Sequence, residues 1–324
     1  MGVNPDARDL LGAYALDALD DTDAATVETL VADDRDAAYE LHRLRGAAAW
    51  IGATEALEPP RDLRAQLLAR AKDVPTELRS YRMAVARHEA LLDELTAEDL
   101  TRPTANGLSV GDLVVHLASM ESGIAETVGH EQSVTAETDV DTRTEVYLAA
   151  YGADPMGAGR GSWRVAAESL DAWATAGGRS GRLPWAGAEV DRRTLLATRS
   201  FELWTHDDDI RAATGRERLT PTAPELRLMS DIAVSIMPFC LLARGHKVSA
   251  AARFVLTGEG GGEWTVSLDG RDHSAPTTTL TVDVVDFCRL VAERIDPDDC
   301  GATLDGDVEL GRTLLHCASA LATL

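Results

Sequence analysis

The chain has 324 residues, with 54 acidic against 31 basic side chains and a net charge of −23, which argues against nucleic acid as a direct partner because phosphate binding needs a basic surface. An apolar fraction of 45% allows a sizeable core, and the length leaves room for more than one domain at about 150 residues each. The four cysteines, Cys240, Cys288, Cys300 and Cys317, form no Cys-x-x-Cys pair, so they read as reduced and buried rather than as a disulfide framework.

The opening Met1-Gly-Val-Asn-Pro-Asp6 has no basic stretch followed by an apolar one, so no signal peptide is expected. The longest apolar run, Ile232 to Ala243, is about 12 residues and contains Pro238, too short to span a bilayer. A soluble, cytoplasmic protein without a membrane anchor is the expectation.

Residues 1–74 are dense in Ala, Leu and Asp. Leu10, Leu11, Tyr14 and Leu19 suggest a short helix opened by Asn4-Pro5-Asp6. Asp21-Thr22-Asp23 can cap a second helix carrying Val27, Leu30 and Val31, and Leu41, Leu44 and Ala48 belong to a third. Pro59-Pro60 breaks the chain before a fourth, marked by Leu63, Leu67 and Leu68. Helices this short are marginal alone, so they must pack on one another or on a partner.

From Pro75 the pattern lengthens. Leu78, Tyr81, Val85, His88, Leu91, Leu92 and Leu95 recur at helical spacing. After a loop at Asn106-Gly107, Ser109 caps a helix with Val110, Leu113, Val114, Leu117 and Met120, and His116 lies on that apolar face. Residues 130–145 read as a polar loop. Helical signals return at Thr144–Tyr151 and Trp163–Ala174. Residues 177–187 read as a connection containing Leu183-Pro-Trp185. One long helix is expected from Asp191 to about Thr214, and another from Pro224 to Arg244. This is an antiparallel bundle of four or five helices over 75–246. From Val248 the period becomes 2. Ala252–Thr257 and Glu263–Leu268 flank a Gly-rich turn as a hairpin, Thr278–Val282 is a third strand, and Val284–Ile295, Ala302–Leu304 and Glu309–Leu321 complete a small α+β domain over 247–324. The fold class is therefore mainly α, with a short-helix domain at 1–74 and a small α+β domain at the C-terminal end.

The chemistry centres on Glu202 and His206. Four residues apart on a helix, they share one face and can clamp a metal ion from two sides. The same pair also suits a salt-bridged surface, and His116 alone suits a satisfied core histidine. Asp207-Asp208-Asp209 beside the pair reads as a solvated helix end. The spacing is not that of His-Glu-x-x-His proteases. His42, His88, His130, His246, His273 and His316 lack ligand-like spacing and read as structural or exposed.

Two resemblances sharpen these readings. Leu11-Gly-Ala-Tyr-Ala-Leu-Asp-Ala-Leu19, the acidic helices after it, and Pro59-Pro60 followed by Leu-Arg-Ala-Gln-Leu-Leu resemble the N-terminal domain of anti-sigma factors. That resemblance implies a sigma factor as partner of residues 1–74. The zinc positions of the family's metal-binding members fall here on Thr29, Asp33 and Asp36, so this module is expected to be metal-free. Second, Asn106-Gly-Leu-Ser-Val-Gly-Asp-Leu-Val-Val-His116, Leu183-Pro-Trp185 and Arg199-Ser-Phe-Glu-Leu-Trp-Thr-His-Asp-Asp-Asp-Ile-Arg211 resemble the DinB-like bundle of mycothiol-dependent maleylpyruvate isomerases, with the α+β tail similar to that family's C-terminal domain. This implies a divalent metal, zinc first by ligand type, held by His116, Glu202 and His206 with an open position, and mycothiol as a thiol cosubstrate. Arg312 is the candidate basic residue for the thiol. Asp209 would orient His206, and Arg199 would pair with Glu202. The combined expectation is a metal-binding regulator or thiol/electrophile sensor, with an active isomerase or thiol transferase as the alternative.

Overall fold

A computed structural model describes all residues except 1–6, 17, 55–73, 106, 130–132, 136–138, 177–182, 186–187 and 320–324. The chain divides into two compact units, residues 1–73 and 74–324. The expected opening at Asn4-Pro5-Asp6 and the fourth helix around Leu63, Leu67 and Leu68 lie outside the described residues.

In the first unit three helices, α1 (Leu11–Ala15), α2 (Asp21–Asp33) and α3 (Arg35–Thr54), enclose a small core of Leu11, Val27, Ala37 and Leu41. The cap of α2 is Asp20, one residue earlier than expected. Its carboxylate accepts from the backbone N–H of Thr22 and of Asp23, both at 3.0 Å, and so satisfies two of the helix's free donors. Asp34 caps α3 in the same way through Asp36 and Ala37. Leu16 and Tyr39 remain 67% exposed each.

The second unit opens with α4 (Thr76–Asp93), α5 (Val110–Thr127), α6 (Val140–Tyr151), α7 (Arg160–Thr175) and α8 (Arg192–Thr214). In this bundle α5 packs on α6 and α7, and α4 on α8. Its interior is filled by Tyr81, Leu117, Ile124, Tyr147, Trp163, Leu170, Leu196 and Leu203, all buried. Burying each such side chain contributes about 1.5–3 kcal/mol relative to exposure.

Ser109 starts α5 through a capping box, its hydroxyl accepting from the Asp112 N–H at 3.1 Å while Asp112 accepts from Ser109. At α6 the structure departs from the expected loop over 130–145. Asp139 accepts from the Thr142 N–H at 3.0 Å and starts the helix at Val140. The polar run Val140-Asp141-Thr142-Arg143 shows no apolar stripe, so periodicity misses it. Leu183–Trp185, expected within a connection, pairs with Ala188–Val190 as a two-stranded antiparallel ribbon, β1 and β2.

The expected single helix from Pro224 to Arg244 is two helices, α9 (Ala223–Ser235) and α10 (Met237–Ala243), bent by 46°. Pro238 lacks the N–H that would continue the ladder, which is why the bend falls there. No single helix among the described residues is long and apolar enough to cross a membrane.

The C-terminal part is a four-stranded sheet in the order β4-β3-β5-β6, with β3 at Ala251–Thr257, β4 at Gly262–Ser267, β5 at Thr278–Asp283 and β6 at Thr303–Gly306. β3 and β4 form the hairpin, β5 runs parallel to β3, and β6 is antiparallel to β5. Two helices, α11 (Val284–Val291) and α12 (Val308–Ala318), cover it. One core is continuous from Phe201 and Trp204 of α8 and Leu226 and Met229 of α9 to Phe254, Leu280 and Phe287 of the sheet and α11. The fold is thus mainly α, a helix bundle with a small α+β part, as the sequence leads one to expect.

Replacing Ser109 with alanine removes one half of the capping box. The expected loss is about 1 kcal/mol, a fall in midpoint temperature of roughly 2–4 °C for a unit of this size. Thermal denaturation of Ser109→Ala checks it, and an unchanged midpoint would show that the box contributes nothing.

Candidate metal centre

His116 sits midway along α5, on the face turned toward α8, and Glu202 and His206 sit one turn apart on α8. The structure brings the three together. Each offers one ligand atom, and these atoms all lie within 4.8 Å of one another. The two imidazole rings stand nearly perpendicular, 82° apart, with centroids 5.4 Å from each other. Among the described residues this is the one group of His, Cys, Asp and Glu side chains so arranged.

Every ligand is held from behind. Asp209 accepts from Nδ1 of His206 at 3.1 Å, and Arg294 grips the same carboxylate through Nε and Nη2, each at 2.7 Å. An ionised carboxylate only accepts, so Nδ1 of His206 carries a proton and Nε2 is the nitrogen left to coordinate. Nδ1 of His116 lies 2.9 Å from the Thr144 hydroxyl. Glu202 is bound through Oε2 by Arg199, one turn earlier on the same helix, while its buried Oε1 has no partner. A buried carboxylate oxygen without a donor is costly unless something occupies the space in front of it. The two free imidazole nitrogens and this oxygen are a donor set that suits a borderline divalent ion with one position open.

Arg199 is itself wholly buried. Its Nε and Nη2 donate to Oε2 of Glu121 at 3.0 and 2.9 Å, and Glu121 in turn accepts from the Tyr81 hydroxyl. Burial disfavours the charge on Arg199, but Glu202 and Glu121 outweigh it and raise its pKa. Burial likewise pushes the carboxyl of Glu202 toward protonation, and Arg199, with the two histidines, more than offsets this, holding its pKa below the usual carboxylate range. Burial, then the charge of His206, lowers the pKa of His116 to about 4, so it is the neutral imidazole a metal requires. Burial and the carboxylate of Glu121 raise Tyr81 well above its ordinary value.

The acidic run is not a solvated helix end. Asp207, Asp208 and Asp209 are all buried, at 7%, 5% and 6% exposure. Asp207 meets Nδ1 of His88 at 2.6 Å, Asp208 lies 3.6 Å from both Arg218 and Arg289, and Asp209 meets His206 and Arg294. Arg218, Arg289 and Arg294 lie beyond the helix in sequence and His88 far before it, which is why the run alone gives no sign of burial. Arg312 is exposed on α12 and pairs with Glu309 at 2.8 Å. The arginine of the C-terminal part that touches the centre is Arg294. It follows a turn in which Glu293 adopts φ 58°, a left-handed position where glycine is the usual residue, and its N–H closes the end of α11 on the Arg289 carbonyl at 2.7 Å. Neither Arg294 nor Thr144 carries a motif that sequence reading could have used.

Asp209→Asn removes the charge that Arg294 binds and weakens the brace behind His206. Outer partners of this kind are worth roughly 10- to 100-fold in metal affinity, so that loss is expected in a chelator competition titration. Unchanged affinity would show that Asp209 serves packing alone.

Comparisons with known proteins bear on the bundle and the fold. No curated protein matches the chain. Residues 81–211 match the family model described as the mycothiol maleylpyruvate isomerase N-terminal domain. A crystal structure of the mycothiol-dependent maleylpyruvate isomerase is similar in fold, with a TM-score of 0.51 at 16% identity, covering 72% of this chain and 94% of that one. A histidine-to-alanine mutant of that enzyme gives a TM-score of 0.50 at 17% identity over the same shares. The bundle that carries His116, Glu202 and His206 is thus similar in sequence to the mycothiol maleylpyruvate isomerase N-terminal domain, and most of the second unit is similar in fold to such an enzyme.

Proposed function

We propose that residues 74–324 bind one divalent ion, zinc first by ligand type, through His116, Glu202 and His206, and use it to activate a small thiol of the mycothiol class. The observation that carries this reading is the convergence of the three ligands, with Oε1 of the buried Glu202 left without a partner. A divalent ion with an open position lowers the pKa of a thiol and holds it as the thiolate nucleophile.

The chain's own groups prepare for an anion there. Counting Glu202, Glu121 and Asp209 against Arg199 and Arg294, the centre and its braces carry one negative charge when both imidazoles are neutral. A divalent ion makes that one positive charge, and a single anionic ligand cancels it. Tyr81 stays protonated and adds nothing to this balance. Arg199 keeps Glu202 ionised, and Asp209 keeps the His206 lone pair pointed inward. The named activity of the similar enzymes makes mycothiol the first thiol to try. The electrophile is one that a thiolate attacks.

For residues 1–73 the proposal is a docking module of the anti-sigma type, making the whole chain a cytoplasmic regulator that reports thiol, electrophile or metal. The exposed Leu16, just after α1, and Tyr39, on α3, support it. The alternative is an enzyme that turns over. The complete ligand set and the coverage of 94% of the isomerase structure favour that alternative.

Elemental analysis of the full chain should give close to one divalent ion per molecule, lost in His206→Ala, and a metal-free wild type overturns both readings. Binding of the full chain to a panel of purified sigma factors, abolished by replacing Leu16 and Tyr39 with aspartate, is the expected outcome for the regulator. No binding to any sigma factor, with metal-dependent consumption of mycothiol and maleylpyruvate, leaves the enzyme reading standing alone.

A further inference from the structure

We propose that Thr144 is a positioning residue that fixes the proton of His116 on Nδ1, so that Nε2 faces the metal as a lone pair. This rests on the metal-binding reading of the same three ligands.

A closed ring of hydrogen bonds assigns the proton. The Ser119 hydroxyl lies 2.8 Å from the backbone carbonyl of His116, which can only accept, so Ser119 spends its hydrogen there. The oxygens of Ser119 and Thr144 are 3.3 Å apart. With its hydrogen spent, Ser119 must accept, so the Thr144 hydrogen points to it. The Thr144 oxygen is then free only to accept from Nδ1 of His116, at 2.9 Å. The proton therefore sits on Nδ1. Each link has one direction, and the ring starts and ends on His116 itself. The tautomer is set by the network rather than by solvent.

The chain places Thr144 with care. Its neighbour Arg143 is buried, at 4% exposure, and clamps α6 onto α5. Arg143 donates through Nε to the Ser119 carbonyl at 2.8 Å and through Nη2 to Glu126 at 2.6 Å and Ser133 at 2.9 Å. Its guanidinium also lies over Tyr147, 5.3 Å from the ring centre. Gly123 makes room for this clamp, since a Cβ there would stand 3.0 Å from Nε of Arg143. One residue is thus fixed to the Ser119 carbonyl, and the next presents its hydroxyl to the Ser119 oxygen and to His116. The register of α6 on α5 and the tautomer of the ligand are set by the same pair of residues.

Valine has nearly the shape of threonine and no hydroxyl. In Thr144→Val a proton on Nδ1 would be buried without an acceptor, so it moves to Nε2, on the metal's side. Two readouts follow. The first uses metal-free protein. Nitrogen-15 spectra of the histidines, with His116 assigned by the loss of its signals in His116→Gln, should show Nδ1 protonated in the wild type and in Thr144→Ser. In Thr144→Val the proton should sit mainly on Nε2.

The second readout is cobalt(II) affinity, followed by the visible spectrum in competition with a chelator. Thr144→Val should bind roughly 10- to 100-fold more weakly and Thr144→Ser within about threefold of wild type, the range for loss and retention of a ligand's outer partner. Ser119→Ala breaks the next link and should shift the tautomer in the same direction, which keeps the idea testable if Thr144→Val fails to fold. An unchanged tautomer in Thr144→Val or, failing that, in Ser119→Ala overturns the proposal. So does cobalt affinity in Thr144→Val equal to wild type. A wild type that binds no cobalt but shows the tautomer shift overturns the metal reading and leaves the positioning of His116 intact.

Discussion

The guanidinium of Arg199 is the constraint on which the centre depends. It is wholly buried, and burying a charge costs several kcal/mol unless partners surround it. Glu121 takes Nε and Nη2, and Glu202 takes Nη1. Glu121 cannot swing away because its other oxygen holds the Tyr81 hydroxyl. The chain of contacts runs from α4 through α5 to α8, so three bundle helices are registered against one another by one cation. Removing one partner of such a buried set typically costs about 3–5 kcal/mol, because the other charges are left without compensation. Glu202 is therefore held by one oxygen, and the direction of the other follows.

How much of this could be read from the residues alone depends on where the information lies. The pairing of Glu202 with His206 is local, set by the helical period, and the long amphipathic stretch makes the helix legible. His116 stands on an apolar face, so its place in the bundle interior is legible too, although joining it to the pair requires knowing which helices pack together. The acidic run was misleading for a physical reason. Three adjacent aspartates look solvated until His88, Arg218, Arg289 and Arg294 arrive from other elements, and their arrival leaves no trace in the run itself. The start of α6 was hidden because its first turn is held by a cap and a buried arginine rather than by an apolar stripe. Pro238 marks the break, because a helix accommodates proline only in its first turn, while the apolar residues on both sides carry a helical pattern across it.

The two imidazoles are braced unequally. His206 donates to a carboxylate that is itself gripped by Arg294, and burial, which would raise the pKa of Asp209, is outweighed by those two partners. A carboxylate behind an imidazole makes it a stronger donor as well as fixing its ring. His116 donates to a neutral hydroxyl, which orients the ring and adds little basicity. The imidazole on α8 is thus the more firmly held of the two. The ligand on α5 is tuned by position, through a helix whose register is set by Arg143.

This asymmetry has a structural consequence. Asp209, behind His206, is itself gripped by Arg294 of the C-terminal part, from the turn that closes α11, where Glu293 holds a left-handed backbone. The brace behind His116 is supplied by the bundle alone. The α+β part also meets α8 through Arg289 at Asp208 and through the core shared with Phe201 and Trp204, but of these contacts the Asp209–Arg294 pair is the one that bears directly on the partner of His206. The Asp209–Arg294 pair belongs at once to the support of His206 and to the end of α11, where Arg294 also donates to the Ala292 carbonyl.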